Sequence, residues 1–137
     1  MGDEMKRSIA IAFSAFTLIT QANADGQAPI TNLQRVLDHP VASNGRMFEG
    51  YVYLYVQNSY YFYPHKITDA EFETASIDIM PGRNSDIMDL SKYKSGDRLF
   101  LRARINVDTA CFDPETTCVP FRRPISLDDP VIVRHGK

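Results

Sequence analysis

A mainly β domain, a five-stranded barrel with one or two short helices behind a signal peptide, is the fold this sequence predicts. Three observations predict it. The N-terminus is of the export type, two long stretches place apolar residues at every second position, and the strand order is interrupted by one short helix.

The N-terminal segment comes first in the argument because it sets the compartment. Lys6 and Arg7 precede the apolar run from Ile9 to Ile19, and Ala22-Asn23-Ala24 supplies the small residues that signal peptidase accepts. The run is too short to span a bilayer as a stable helix, and no second one follows. Residues 1–24 therefore read as a signal peptide, with Met5 an alternative start to Met1, and the product is expected to be soluble and exported, either periplasmic or secreted. Residues 25–137 then form a single domain. A domain of that size buries only about 65% of its unfolded surface, so a covalent staple helps. Cys111 and Cys118 are the only cysteines. After export their default state is a disulfide closing the loop 111–118, a contribution of about 2–3 kcal/mol by chain entropy. A redox pair of the Cys-x-x-Cys kind would need a shorter spacing.

Along the mature chain, Thr31 or Asn32 can cap a short helix with Leu33, Val36 and Leu37 on one face, and Pro40 follows its end. From Met47 the period becomes two. Phe48, Val52, Leu54 and Val56 lie on one strand face and Glu49, Tyr51, Tyr53 and Tyr55 on the other, with Gly50 marking a bulge or sharp coil. Gln57-Ser59 turns the chain into a second strand at Tyr60-Tyr61-Phe62-Tyr63. Thr68-Asp69-Ala70-Glu71 has capping-box form, and a short strand at residues 75–79 ends at Pro81-Gly82. Ile87, Leu90 and Tyr93 are spaced for a short helix after Ser85. The second long strand runs from Arg98 to Val107, with Leu99, Leu101, Ala103, Ile105 and Val107 facing inward. The disulfide loop, a strand at residues 119–122 and a last strand at residues 131–134 complete the chain.

Three strands, a short helix and two further strands follow the order of the five-stranded OB barrel. Asn44-Gly45-Arg46-Met47-Phe48-Glu49-Gly50-Tyr51-Val52 resembles the opening strand of small exported bacterial OB-fold-like domains, and Ser95-Gly96-Asp97-Arg98-Leu99-Phe100-Leu101 resembles their fourth strand. The helix ending at His39-Pro40 is similar to the preface that many of them carry. The resemblance covers roughly residues 33–107, and the insertion around Cys111 departs from a minimal barrel. It implies an OB-like architecture and binding rather than catalysis, and it supplies no ligand.

The tyrosines are the leading candidate site. Tyr51, Tyr53 and Tyr55 project from one face about 6.8 Å apart, and Tyr61 and Tyr63 lie across the hairpin if the register is simple. A patch apolar in body and polar at its tips suits a protein partner or sugar rings. The alternatives are that the disulfide loop or the leading helix covers it as framework, or that it packs a homodimer. Arg98, Arg102 and Arg104 share a face with Phe100, and Arg122-Arg123 follow. Such a stripe can bind acidic groups or single strands, or be neutralised by Asp69, Glu71, Glu73, Asp128 and Asp129. The formal charge of −2 lacks the basic footprint that phosphate backbones require, which argues against nucleic acid.

Catalytic patterns are missing from the sequence. His39, His65 and His135 show no metal-ligand spacing, no Gly-x-Ser-x-Gly elbow occurs, and no motif calls for a metal or a cofactor. Asp86 and Asp89 at i, i+3 suit a helix N-terminus, and Glu49 shows no partner carboxylate. The expected function is therefore an exported, non-catalytic protein-interaction module of the inhibitor or immunity type. Its binding residues would be Tyr51, Tyr53, Tyr55, Tyr61, Tyr63, Arg102 and Arg104. Glycan or cell-wall polysaccharide binding on the same face is the first alternative, and a small envelope hydrolase using Glu49 or the Asp86/Asp89 pair is the second.

Overall fold

The alternation in the two long strands closes a barrel. A computed structural model describes residues 27–116, 118 and 124–135; the expected signal peptide and the strand expected at residues 119–122 lie outside them. In chain order the elements are β1 (Ile30–Asn32), α1 (Leu33–Asp38), α2 (Pro40–Ser43), β2 (Met47–Val56), β3 (Tyr60–Tyr63), α3 (Asp69–Thr74), β4 (Ile79–Pro81), β5 (Arg98–Val107) and β6 (Ile125–His135). Three single 3-10 turns lie at Ser85–Met88, Leu90–Lys92 and Thr109–Phe112.

Strands β2, β3, β4, β6 and β5 are neighbours in that order, and β5 returns to β2. All pairs in the ring are antiparallel except β4–β6, which is parallel. Numbered within the barrel this is order 1-2-3-5-4-1, the five-stranded OB-like architecture expected from the sequence. Inside lie Phe48, Val52 and Leu54 of β2, Phe62 of β3, Ile79 of β4, Leu99, Leu101, Ala103, Ile105 and Val107 of β5, and Ile125 and Leu127 of β6. Leu33 and Val36 of α1 join the same core, as do Met88 and Leu90 of the 3-10 turns. The partners across β2–β5 alternate in size, with Leu101 opposite Gly50 and Ala103 opposite Phe48. A bulky side chain thus fills the room its small neighbour leaves.

The caps follow their sequence signals. Asn32 starts α1 by accepting from the Gln34 N–H at 2.8 Å. Thr68 and Glu71 form the reciprocal capping box of α3. Gly50 leaves the β2–β5 ladder unbroken from Met47 to Tyr53, and the irregularity it marks lies on the other edge, where the β1–β2 register shifts between Phe48 and Tyr51. Its missing side chain admits β1, since a Cβ there would stand 2.3 Å from the Thr31 carbonyl oxygen.

Four expectations are corrected. Val56 is 37% exposed because β2 runs past the barrel into the turn. The strand expected at residues 75–79 starts at Ile79 and runs to Pro81. The helix expected after Ser85 is two 3-10 turns separated by Asp89 at φ 49°, so Met88 points inward and Ile87 is 78% exposed. The last strand begins at Ile125, six residues before the expected start at 131, and passes Asp129 at φ 50° with an irregular register against β5.

Cys111 and Cys118 are disulfide-bonded. The bridge lies wholly within the β5–β6 connection, whose base is closed by the Asp108 N–H donating to Pro124 O at 2.7 Å. It therefore restrains that loop and ties no two barrel strands together.

Gly50→Ala should force β1 away from β2 and destabilise the domain by about 1–3 kcal/mol, the usual cost of overpacking. Urea unfolding should show this as a lower midpoint at unchanged slope.

Candidate functional site

Because β2 and β5 are both long and in register, their outward residues meet in pairs: Glu49 with Arg102, Tyr51 with Phe100 and Tyr53 with Arg98. Across the other edge of β2, Tyr53 opposes Tyr63 and Tyr55 opposes Tyr61, the simple hairpin register. The five tyrosines do share one surface of the sheet. The chain then divides them.

Helix α3 lies over the hairpin half. Its one large apolar residue, Phe72, stacks on Tyr55 with centroids 4.6 Å apart and tilts against Tyr61 at 4.8 Å. Tyr55 meets Tyr63 edge-on at 6.4 Å. Tyr55, Tyr61, Tyr63 and Phe72 are buried and form a second small core outside the barrel, flanked by Ile67 and Met80. Each buried phenol needs an acceptor. Tyr55 donates to Asp69 Oδ1 at 2.6 Å, and Tyr63 donates to the buried Asp78. The hydrogen bond to Asp69, burial, and the charges of Asp69 and Glu73 push the Tyr55 phenol up to about 12. The ring packed over Tyr55 and Tyr61 is Phe72 of α3. One signal pointed to it: in Asp69-Ala70-Glu71-Phe72-Glu73-Thr74 only Phe72 requires an apolar partner.

The other half is partly open. Tyr51, Tyr53, Arg98 and Phe100 are half-buried and Arg102 is exposed. The Arg98 guanidinium sits 4.2 Å over the Tyr51 ring, and Tyr51 packs edge-on against Phe100 at 4.8 Å. Arg102 pairs with Glu49 at 3.5 Å. Opposite Arg102 on β6 is Val131, 51% exposed, with Val133 at 40% nearby. These two valines also line a shallow depression of about 370 Å³ with Ile87, Lys92 and Tyr93. Arg104 belongs to the framework, because its guanidinium donates to the Gly45 carbonyl at the turn before β2.

The residues considered for catalysis are scattered. Asp86 and Asp89 are both exposed and do not share a helix face, since Asp89 is left-handed and accepts from the Ser91 hydroxyl at 2.6 Å. Among the described residues no three His, Cys, Asp or Glu side chains gather where they could hold a metal ion. No helix among them is long and apolar enough to cross a membrane. Arg122 and Arg123 lie outside the described residues. No protein-family model, no curated protein and no solved structure matches this chain.

A phenol held protonated in the fold stabilises α3 fully below the ordinary tyrosine range near about 10, and that contribution is lost as pH rises towards the folded value. Ultraviolet titration of phenolate should show one tyrosine ionising near 12, and Tyr55→Phe should remove that step. The same variant should flatten the loss of melting temperature at alkaline pH.

Proposed function

We propose that this is an exported, non-catalytic protein-binding domain that docks its partner on the outer face of β2, β5 and β6. The observation that carries this reading is the Arg98–Tyr51–Phe100 stack, half-open to solvent and bordered by Val131 and Val133. Tyrosine and arginine held rigidly beside apolar surface are the residue types that dominate protein-binding energetics. Mutual packing fixes their rotamers in the free protein, which lowers the entropy lost on docking. Arginines beside apolar surface favour a partner segment that is acidic at its rim and apolar at its centre. An inhibitor or immunity-type role fits such a domain, since it acts by occupying another protein's surface.

Glycan binding has weaker support. It calls for an open aromatic platform, yet three of the five tyrosines are buried and one face of the Tyr51 ring carries Arg98.

Envelope extract passed over immobilised wild-type domain, with Tyr51→Ala and Phe100→Ala as controls, should yield a protein retained only by the wild type. Against that purified protein each variant should weaken affinity about 10- to 100-fold, the hot-spot range. Equal retention by all three proteins contradicts this reading. Tyr51-dependent retention on a polysaccharide column in place of a protein would favour the glycan alternative.

A further inference from the structure

Asn44-Gly45 forms the turn that leads α2 into β2, and the fold calls for both residues. Gly45 is left-handed at φ 82°, a conformation that side chains rarely adopt, although a Cβ there would meet nothing within 4 Å. Backbone shape, not space, selects glycine. Asn44 supplies an acceptor that the end of β5 needs, its Oδ1 taking the Val107 N–H at 2.8 Å. Together these two demands create an Asn-Gly pair, the dipeptide whose asparagine deamidates most readily in a free chain. Glycine puts no side chain in the way of its own nitrogen.

In that reaction the Gly45 nitrogen loses its proton to hydroxide and attacks Asn44 Cγ. The bond from Cγ to the side-chain nitrogen breaks, ammonia leaves, and a succinimide closes. Water then opens the ring at either carbonyl, giving aspartate or isoaspartate with no change of oxidation state.

The folded turn opposes both halves of the attack. The proton that must leave Gly45 N is donated to Ile105 O at 2.8 Å. The side chain under attack is held by Val107, while Asn44 keeps φ −60° and ψ 130° with its own N–H on Val41 O at 3.2 Å. The Arg104 guanidinium adds a bond to the Gly45 carbonyl. Burial is not the shield, because Asn44 is exposed to water.

We propose that Asn44-Gly45 is a latent isoaspartate site: the hydrogen-bonded turn suppresses succinimide formation in the folded domain, and opening of the turn releases it. The two products differ in consequence. Aspartate keeps an acceptor for the Val107 N–H. Isoaspartate routes the main chain through Cβ and Cγ, and the added carbon before Gly45 moves its N–H off Ile105 O. A chain that opens and converts to isoaspartate does not rebuild the turn, so unfolding becomes irreversible at this residue.

Mass spectrometry tests this by following deamidation at each asparagine at mildly alkaline pH. The whole domain, folded and in urea, is compared with a synthetic peptide of residues 41–47. Asn44 should convert at similar rates in the peptide and in urea, and at least about tenfold more slowly in the folded domain. Arg104→Met, which removes one bond from the turn, should raise the folded-state rate about three- to tenfold. Refolded isoaspartate protein should melt at least about 5 °C below the wild type, whereas Asn44→Asp should melt within about 4 °C of it. Four results overturn the proposal: conversion of Asn44 in the folded domain as fast as in the peptide, conversion in urea that begins at other asparagines, an Arg104→Met rate equal to the wild type, or isoaspartate protein that melts with Asn44→Asp.

Discussion

Along the antiparallel pair β2–β5, Leu99 faces Val52 and Leu101 faces Gly50, while one residue on Phe100 faces Tyr51 and Arg102 faces Glu49. That single register assigns every side chain of both strands to the barrel interior or to the outer face. A slip of one residue would exchange the two sets, burying arginines and exposing leucines. The burial of Leu99, Leu101, Ala103, Ile105 and Val107 on one side makes such a slip prohibitive. The core thus fixes the candidate site, even though no residue of the site belongs to it.

Upon this frame α3 makes the second decision. Ligands of OB barrels commonly use the face of barrel strands two and three and the loops beside it, which here is the face carrying Tyr61 and Tyr63. Phe72 and Asp69 close that surface by satisfying both the rings and the Tyr55 hydroxyl. What stays open is displaced towards β5 and β6, where the aromatic pair is accompanied by arginine and valine. The same helix, set beside α1, borders a cleft on its far flank.

Much of this was legible in the residues. The period-two alternation located β5 to the residue and gave both faces of β2 up to Tyr55, and the hairpin register followed from the short turn between Val56 and Tyr60. Of the two cap candidates Thr31 and Asn32 it is Asn32 that starts α1, and Thr68 starts α3 as its capping-box form indicated. The failures share a cause, which is that pairing between distant segments overrode the local pattern. Ser126-Leu127-Asp128-Asp129-Pro130 reads as loop because it is polar and ends in proline. It is strand because Leu127 fills the core and the buried Asp128 accepts from the Arg83 N–H at 2.9 Å. Gly82 leaves room for that contact; a Cβ there would stand 2.0 Å from the Asp128 carboxylate. Left-handed Asn84 and Asp89 broke the helix expected from Ile87 and Leu90, a backbone choice that periodicity does not record. The tyrosine face was legible as a face, but the one local signal for its cover, the lone apolar Phe72 of α3, does not say which surface that ring seeks.

The division of that face is open to direct measurement by residue-resolved nitration of the native domain, with rates read by mass spectrometry. Tyr51 and Tyr53 should react readily, while Tyr55, Tyr61 and Tyr63 should stay protected until the domain unfolds. Nitration of Tyr55 or Tyr61 at the rate of Tyr53 in the folded protein would show that α3 does not cover the hairpin, and the site as described here would be wrong.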